Sequence, residues 1–184
     1  MMRLLILDRD GVINQESDRF IKSPEEWIPI PGSLEAVARA NAAGYRVVVV
    51  SNQSGLARGI IDVGQLHLVH QKMHQRLAEH GGRIEAVFFC PHGPGEGCAC
   101  RKPRPGLFRE LSERLHLPLE GVPAVGDRLT DIQAARAAGA RPILVETGRG
   151  RHTRDANPEL RSLPVYDDLA AVIDELCAPG PGRK

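Results

Sequence analysis

The sequence predicts an α/β fold in three layers: a mainly parallel sheet covered by helices on both faces. Five short apolar runs alternate with five amphipathic segments along the chain. The runs are rich in Val, Ile and Leu, which is typical of strands buried on both sides. Regular alternation of such strands with helices indicates parallel pairing, because each helix carries the chain back across the sheet.

Each predicted strand is an apolar run that ends at a polar residue or a turn signal. The N-terminal run RLLILD ends in Asp8, and RVVVVS, which is dominated by β-branched residues, ends in Ser51. The predicted strands span residues 3–8, 46–51, 84–89, 122–127 and 141–146.

The predicted helices are delimited by capping residues and glycines. We expect Ser33 to cap the first helix and Gly44 to end it. Asp62, with Gln65 three positions later, resembles a capping box, and Gly139 is expected to end a later helix. The predicted helices span 34–43, 62–80, 105–116, 131–138 and 166–176, and residues 178–184 are expected to form a disordered tail.

The composition is that of an ordinary globular protein. Of 184 residues, 42% are hydrophobic and 26% are charged, enough to build a core without disulfides. The formal net charge of +1 gives no electrostatic reason to expect a nucleic-acid or membrane partner. The N-terminal apolar run, Leu4 to Leu7, is too short for a signal peptide or a membrane span. We therefore expect a cytoplasmic monomer with one domain over residues 1–177.

Polar segments follow four of the predicted strands. Ligands in open parallel sheets bind beyond the carboxyl ends of the strands, so these segments are expected to converge. They read DRDGVIN, SNQSG, RKPRPG (after a cysteine-rich loop) and GDRLTD. A single Asp at a strand end is often only a turn or cap residue. What favours a site is that each of the four segments contributes a part of the same reaction.

Those parts fit phosphoryl transfer. Asp8, Asp10 and Asp127 would bring three carboxylates together, and such a cluster of hard oxygen ligands calls for a cation such as Mg²⁺. Ser51 offers a hydroxyl and Lys102 a positive charge for the transferring phosphoryl group. Asp8 is then placed to form an aspartyl-phosphate. Asp10 is placed to protonate the leaving alkoxide and later to deprotonate the attacking water.

The same segments resemble the four motifs of the haloacid dehalogenase (HAD) superfamily of aspartate-nucleophile phosphatases. LDRDGVIN, VVVVSNQ, RKPRPG and AVGDRLTDIQAARAAG are collinear with motifs one to four over residues 4–150. Together with CPHGPGEGCAC, they resemble one branch in particular, the D-glycero-D-manno-heptose 1,7-bisphosphate 7-phosphatases, which are related to the histidinol-phosphate phosphatases. The resemblance implies a Rossmann-like HAD fold without a large cap domain.

The resemblance also implies a role for each matching residue. Asp8 is the expected nucleophile, Asp10 the general acid/base, and Ser51 and Lys102 are expected to stabilise the phosphoryl group. Mg²⁺ is expected on Asp8, the backbone carbonyl of Asp10, and Asp127. Family enzymes remove the C7 phosphate of the heptose bisphosphate on the route to nucleotide-activated heptoses. Contacts to this small phosphorylated sugar are expected from Asn52, Gln53, Ser54, Arg101 and Arg128.

The sequence departs from the family pattern at three places. Ser51 stands where the family usually has threonine, and Arg128 where it usually has lysine, so the hydroxyl and the charge are kept. The region NQESDRFIKSPEEW replaces an Asp-x-x-Gly-Tyr segment that is expected to touch the sugar. The motifs therefore predict the reaction type, whereas histidinol phosphate or another small phosphomonoester is an alternative substrate. We expect Asp131 to support the metal without binding it.

The CPHGPGEGCAC loop carries a second predicted metal site. Cys90, His92, Cys98 and Cys100 follow the pattern C-x-H-x5-C-x-C, and three thiolates with one imidazole make a complete tetrahedral set for Zn²⁺. A complete set leaves no open position, so this zinc is expected to be structural. It would hold the cations that follow directly in the sequence, RK at 101–102.

Two other interpretations of the loop remain open from the sequence. A redox pair at Cys98 and Cys100 leaves the other two candidate ligands without a role. A nucleic-acid-binding zinc module requires a following helix lined with base-reading residues, whereas a proline-bounded turn comes next. We therefore predict a Mg²⁺-dependent phosphatase with a structural Zn²⁺, and the nucleic-acid binder is the alternative from another class.

Overall fold

The computed structural model describes residues 3–178, which contain one six-stranded parallel sheet. The strands lie in the order β3-β2-β1-β4-β5-β6. The chain moves outward from β1 to β3, returns to pair β4 with β1, and then moves outward on the other side. The order thus reverses between β1 and β4, and this is where such sheets bind ligands. The strands are β1 Arg3–Leu7, β2 Tyr45–Asn52, β3 Ala86–Cys90, β4 Pro123–Gly126, β5 Arg141–Val145 and β6 Val165–Tyr166.

Helices cover both faces of this sheet. They are α1 Ser33–Ala42, α2 Val63–Glu79, α3 Gly106–Leu115, α4 Leu129–Ala137, α5 Gly150–Ala156 and α6 Leu169–Cys177, with 3-10 turns at Pro24–Glu26 and Pro158–Ser162. Alternate side chains of β1 point to opposite faces. Leu5 and Leu7 pack with the apolar faces of α1, α2 and α6, whereas Leu4 and Ile6 pack with α3 and α4. The predicted three-layer α/β fold is therefore confirmed.

The predicted caps explain three of the helix boundaries. Asp62 and Gln65 form the predicted capping box, since each side chain accepts a hydrogen bond from the other residue's backbone N–H. Gly44 and Gly139 adopt positive φ angles of 86° and 79° directly after helices, as predicted. The prediction for Ser33 was wrong. Gly32 caps α1, and the Ser33 hydroxyl donates to the Ile13 carbonyl at 2.6 Å.

Two elements were missed by the sequence pattern, β6 and α5. Tyr166, which was predicted to begin the last helix, lies in β6, and the helix begins at Leu169 because the Asp168 carboxylate caps it. A strand of two residues is too short to show a periodicity. Within the part of the chain that the structure describes, no helix is long and apolar enough to cross a membrane. Residues 179–184 of the predicted tail lie outside the described residues.

Candidate active site

The four predicted segments converge where the strand order reverses. Asp8 follows β1 and Asp127 follows β4, and these two strands pair directly. Ser51 lies in β2, on the other side of β1. A pocket of about 200 Å³ opens at these strand ends. Its lining includes Asp8, Asp10, Asn52, Gln53, Ser54, Arg101, Lys102 and Arg128.

A buried lysine lies at the base of the pocket. The Lys102 side chain is 3% exposed, and its Nζ donates to Asp131 at 2.6 Å, to the Val50 carbonyl at 2.8 Å and to Asp8 at 3.1 Å. Burial alone would lower the pKa of Lys102, but Asp131 and Asp8 raise it above its ordinary value. The lysine is therefore a permanent cation that contacts the predicted nucleophile.

Asp131 bonds to Lys102 and to the backbone around Asp127. One of its oxygens lies within 4.8 Å of oxygens from Asp8 and Asp127, and the expectation that it supports the metal without binding it stays a prediction. Its hydrogen bonds are with Lys102 and with the backbone N–H groups of Asp127 and Arg128, at 3.2 and 3.0 Å. Asp131 thus caps α4, which begins at residue 129 and not at the predicted 131, and positions the lysine.

The carboxylates of Asp8 and Asp127 fit a divalent cation. Asp127 Oδ2 accepts a hydrogen bond from the Arg149 N–H at 2.7 Å, whereas Oδ1 is buried without a hydrogen-bond partner among the described residues. Burial raises the pKa of Asp127 to about 8, with Asp131 and Asp8 adding to the effect, and burial raises the pKa of Asp8 to about 6. A hard cation would satisfy the free oxygen and offset both causes.

Two glycines leave room around Asp127. A Cβ on Gly11 would lie 2.1 Å from Asp127 Oδ2, and a Cβ on Gly148 would lie 2.2 Å from the same atom. Gly11 also has a φ of 83°, in the left-handed region that favours glycine. The GVIN turn after Asp10 therefore requires glycine both for its backbone and for the space that it leaves to this carboxylate.

Asp10 is held by a set of hydrogen-bond donors. It accepts from Arg9 Nη2 at 2.9 Å, from Asn14 Nδ2 at 2.8 Å and from Gln53 Nε2 at 3.1 Å. Burial alone would raise the pKa of Asp10, but Arg9 and these hydrogen bonds lower it below its ordinary value. Asp10 is therefore ionised here, in the form that accepts a proton.

The residues after β2 bond mainly to the site itself. Gln53 Nε2 also donates to the Ser51 hydroxyl at 2.9 Å, so Gln53 links Ser51 to Asp10. The Asn52 side chain accepts from the Lys102 N–H at 3.0 Å and donates to the Lys102 carbonyl at 3.1 Å. The substrate contacts predicted for Asn52 and Gln53 stay predictions, since both line the pocket with their amides already bonded.

Charged side chains surround the pocket mouth. The predicted substrate residue Arg128 pairs with Glu16, which also accepts from Arg149 Nε at 3.0 Å. Arg149 in turn pairs with Asp18. The segment that differs from the family pattern is thus joined by ion pairs to the loops after β4 and β5.

The cysteine-rich loop brings its four predicted ligands together. Cys90 Sγ lies 3.7 Å from Cys98 Sγ, 3.0 Å from Cys100 Sγ and 3.5 Å from His92 Nδ1. Around a tetrahedral zinc with Zn–S bonds of about 2.3 Å, sulfur atoms lie about 3.8 Å apart. The three thiols are free, and their separations are well above a disulfide bond of about 2.05 Å. The donor set therefore fits Zn²⁺.

This loop is attached directly to the pocket. Arg101 follows the last cysteine and donates to the His92 carbonyl at 3.1 Å. Gly106, the first residue of α3, donates to the Ala99 carbonyl at 3.1 Å, and a Cβ there would lie 2.2 Å from that oxygen. The loop thus packs against α3 on one side and presents Arg101 and Lys102 on the other.

Several residues of the site were not found from the sequence. Arg9 is 1% exposed and bonds to Asp10, although the sequence pattern would predict that a charged residue after a strand is exposed to solvent. Asn14 is fully buried, and Glu16 and Arg149 form the ion pairs at the mouth. The only signal for Arg9 in the sequence is its place between the two aspartates that were predicted to belong to the site.

Comparison with known proteins agrees with this geometry. The family model described as polynucleotide kinase 3 phosphatase matches residues 4–133, and the one described as HAD-hydrolase-like matches residues 99–172. The D-glycero-β-D-manno-heptose-1,7-bisphosphate 7-phosphatase of Bordetella bronchiseptica is 55% identical over 95% of this chain and 98% of its own length. The chain belongs to the HAD-type D-glycero-D-manno-heptose 1,7-bisphosphate 7-phosphatase family.

Further members of this family support the assignment. The enzyme of the same name from Pseudomonas putida is 50% identical, over 95% of this chain and 99% of its own length. The crystal structure of the B. bronchiseptica phosphatase, which is complexed with magnesium and phosphate, superimposes with a TM-score of 0.93 over 95% of this chain and 98% of that chain. The D,D-heptose 1,7-bisphosphate phosphatase of Burkholderia thailandensis is 44% identical, with a TM-score of 0.76 over 96% of this chain and 99% of that chain.

Family membership confirms the predicted reaction class. The chain is a phosphatase with the HAD-type α/β fold, as the four motifs predicted. The magnesium in the B. bronchiseptica structure supports magnesium as the cofactor of this family.

Proposed function

We propose that this chain removes the C7 phosphate of D-glycero-D-manno-heptose 1,7-bisphosphate, with Asp8 as the nucleophile. The observation that carries the proposal is the buried contact between Asp8 and Lys102, near the Asp127 oxygen that has no hydrogen-bond partner within residues 3–178. Relatives that are 47–55% identical are named for the β anomer, which we propose as the preferred substrate.

In the first step, an Asp8 carboxylate oxygen attacks phosphorus, and the bond between phosphorus and the C7 oxygen breaks. Lys102 stabilises the negative charge on the phosphoryl oxygens because its ammonium is already held at 3.1 Å from Asp8. The leaving C7 oxygen takes a proton from Asp10. The negative charge of the bound phosphate raises the pKa of this nearby carboxyl, so substrate binding favours the protonated form that the step requires.

In the second step, water attacks the phosphorus of the aspartyl-phosphate, and the bond to Asp8 breaks. Asp10, which gave up its proton in the first step, accepts one from this water. Gln53 and Asn14 hold the Asp10 carboxylate toward the pocket in both steps, and Gln53 also holds the Ser51 hydroxyl.

Asp8, the Asp10 backbone carbonyl and Asp127 would hold Mg²⁺, which supplies neutralisation of charge on the phosphoryl oxygens when it is bound. Cys90, His92, Cys98 and Cys100 would hold Zn²⁺, which has no open position for chemistry and acts by fixing the loop. Because displacements of about 1 Å in a catalytic group can cost about 100-fold in rate, a fixed loop matters for the lysine that follows it.

The rest of the substrate would lie at the pocket mouth. Ser54, Arg101 and Arg128 line the pocket with groups that bind hydroxyls and phosphate, and we propose them as substrate contacts together with Asn52 and Gln53. Glu16, which pairs with Arg128, is placed to accept hydrogen bonds from sugar hydroxyls.

Steady-state kinetics test the substrate. Phosphate release would be measured with Mg²⁺ for both heptose bisphosphate anomers, fructose 1,6-bisphosphate and histidinol phosphate. We expect kcat/KM for the β anomer to exceed each of the others by at least about 10-fold, since several pocket groups contact the sugar. A larger kcat/KM for histidinol phosphate would instead assign the chain to that alternative substrate.

Replacement of Asp8 tests the mechanism. Asp8→Asn should remove activity by a factor of about 1,000 or more, and acid-quenched wild-type enzyme should carry phosphate on the peptide that contains Asp8. Asp174→Asn is the matched control, since the Asp174 side chain is 65% exposed and lies in a surface ion pair. Full activity of Asp8→Asn would refute the role of Asp8 as nucleophile.

Elemental analysis tests the zinc site independently of activity. We expect one zinc per chain in the wild type, loss of that zinc in Cys98→Ser, and retention in Cys177→Ser, which changes an exposed cysteine outside the cluster. Activity should fall in parallel with zinc content when Mg²⁺ is kept constant. Full activity of zinc-free enzyme would refute the proposed structural role.

A further inference from the structure

The guanidinium of Arg9 is buried beside the active site. Arg9 is 1% exposed, although its neighbours in the sequence, Asp8 and Asp10, both line the pocket. Buried guanidinium groups require partners for their five N–H donors. Arg9 Nε and Nη2 donate to Asp10 Oδ1 at 3.1 and 2.9 Å, and Nη2 also reaches Asp10 Oδ2 at 3.1 Å. Arg9 therefore contacts both oxygens of the proposed acid/base.

The opposite side of the guanidinium contacts a histidine on α2. Arg9 Nη1 lies 3.2 Å from His70 Nε2. Arginine stays protonated and can only donate, so Nε2 must carry the lone pair and His70 must be the neutral tautomer with its proton on Nδ1. Burial, followed by the charge of Arg9, lowers the pKa of His70 to about 3, which keeps it an acceptor. An edge contact with Phe89, at 6.3 Å between centroids, further orients the ring.

We propose that His70 is a positioning residue for acid–base catalysis: by accepting from Arg9, it fixes the guanidinium that holds both oxygens of Asp10. The inference rests on the proposed role of Asp10. His70 belongs to α2 and does not line the pocket, and among the described residues its hydrogen bond into the site is the one with Arg9. Its effect should therefore appear in the steps that need a proton transfer and not in substrate affinity.

The dependence on the leaving group separates this role from a merely structural one. A sugar alkoxide is a strong base and needs the proton of Asp10 to leave, whereas p-nitrophenolate is a weak base and needs it far less. The water that cleaves the aspartyl-phosphate is activated by Asp10 with either substrate, so the comparison uses kcat/KM, which reports the first step alone. A variant that misplaces Asp10 should thus lose more kcat/KM toward the sugar phosphate than toward p-nitrophenyl phosphate. A variant that damages the fold should lose both equally.

The experiment compares His70→Leu, His70→Gln and His74→Leu by kcat/KM on fructose 1,6-bisphosphate and p-nitrophenyl phosphate. His70→Leu should lower kcat/KM for the sugar phosphate by about 10- to 100-fold, since general acid catalysis contributes about 100- to 10,000-fold. It should change kcat/KM for p-nitrophenyl phosphate by less than about 3-fold. His70→Gln, whose amide oxygen can accept from Arg9, should recover most of the loss. His74→Leu makes the same change at an exposed position one turn along α2 and should have no effect.

The variant Asp10→Asn distinguishes a failure of the proposed role of Asp10 from a failure of the proposed role of His70. If it lowers kcat/KM on both substrates equally, the general-acid role of Asp10 is wrong and the inference fails with it. If Asp10→Asn shows the leaving-group difference and His70→Leu does not, only the inference fails. A second measurement needs no variant: nitrogen NMR of wild-type enzyme should show His70 with an unprotonated Nε2. Titration of His70 near its ordinary pKa of about 6.5 would overturn the inference.

Discussion

Replacing Lys102 with methionine tests whether one buried cation holds the active site together. The lysine is 3% exposed and bonds to Asp131, the Val50 carbonyl and Asp8 at 2.6, 2.8 and 3.1 Å. Methionine has a similar length and volume, so Lys102→Met removes the charge and its donors without opening a large cavity. Two carboxylates and one carbonyl then lose the same partner.

The expected loss of stability is large for a single substitution. Removal of one partner from a buried ion pair costs about 3–5 kcal/mol, because the remaining charges are left uncompensated. For a chain of this size, about 1 kcal/mol shifts Tm by about 2–4 °C, so Tm should fall by about 6–20 °C. The value of kcat should fall by at least about 100- to 1,000-fold, the cost of deleting one preorganised donor to the transition state.

The loss of stability in Lys102→Met should also depend on pH. Because the pKa of Lys102 is raised above its ordinary value, its contribution is complete below about pH 10 and is lost only as the pH rises beyond that. In Lys102→Met, the carboxylates left behind can be neutralised by protons at low pH. The difference in Tm between wild type and variant should thus be larger near about pH 8 than near about pH 5.

Differential scanning calorimetry and steady-state kinetics measure both effects. Lys22→Met is the matched control, because Lys22 forms a half-exposed ion pair with Glu26 at 2.9 Å. Such pairs contribute about 0–1 kcal/mol, so this variant should keep its Tm and its activity. If Lys102→Met matched the control in both measurements, the buried cation would not hold the site together, and the reasoning above would be refuted.

Three further predictions concern the neighbours of this lysine. Gly11→Ala should weaken Mg²⁺ binding and lower kcat by about 100-fold, because the new Cβ would lie 2.1 Å from Asp127 Oδ2. Calorimetric titration measures the affinity for Mg²⁺, and an unchanged affinity would contradict this explanation. Since burial raises the pKa of Asp127 to about 8, metal-free enzyme should lose stability as the pH rises from about 4 to about 8. Over the same range the affinity for Mg²⁺ should increase, because binding of the ion releases a proton from Asp127. Calorimetric titration in buffers of different ionisation enthalpy detects this proton. Asn52→Ala should lower kcat for every phosphate ester to a similar extent, because the Asn52 amide holds the Lys102 backbone; a rise in KM confined to the sugar substrate would show instead that Asn52 binds the sugar.

The positions of the site residues along the chain could be predicted because strands and phosphatase motifs are local patterns. Asp8, Ser51 and Asp127 were expected at strand ends, and parallel pairing of β1 with both β2 and β4 brings those ends to one edge. The four candidate zinc ligands of the cysteine loop could also be predicted, since they lie within eleven residues and their thiol and imidazole groups suit Zn²⁺. The two-residue β6 and the short α5 were missed because neither is long enough to show a period.

By itself, the sequence determined the layered α/β architecture and the reaction class, and it supplied the side chains that we propose carry the reaction, because periodicity and motif spacing are properties of neighbouring residues. Only the tertiary structure decided what each polar group bonds to. In the folded chain Asp131 contacts Lys102, the Asn52 amide bonds to the lysine backbone, and Arg9 is buried between Asp10 and His70. These contacts join residues that are up to 61 positions apart, and a buried charge takes whichever partner the packing of distant elements brings within reach.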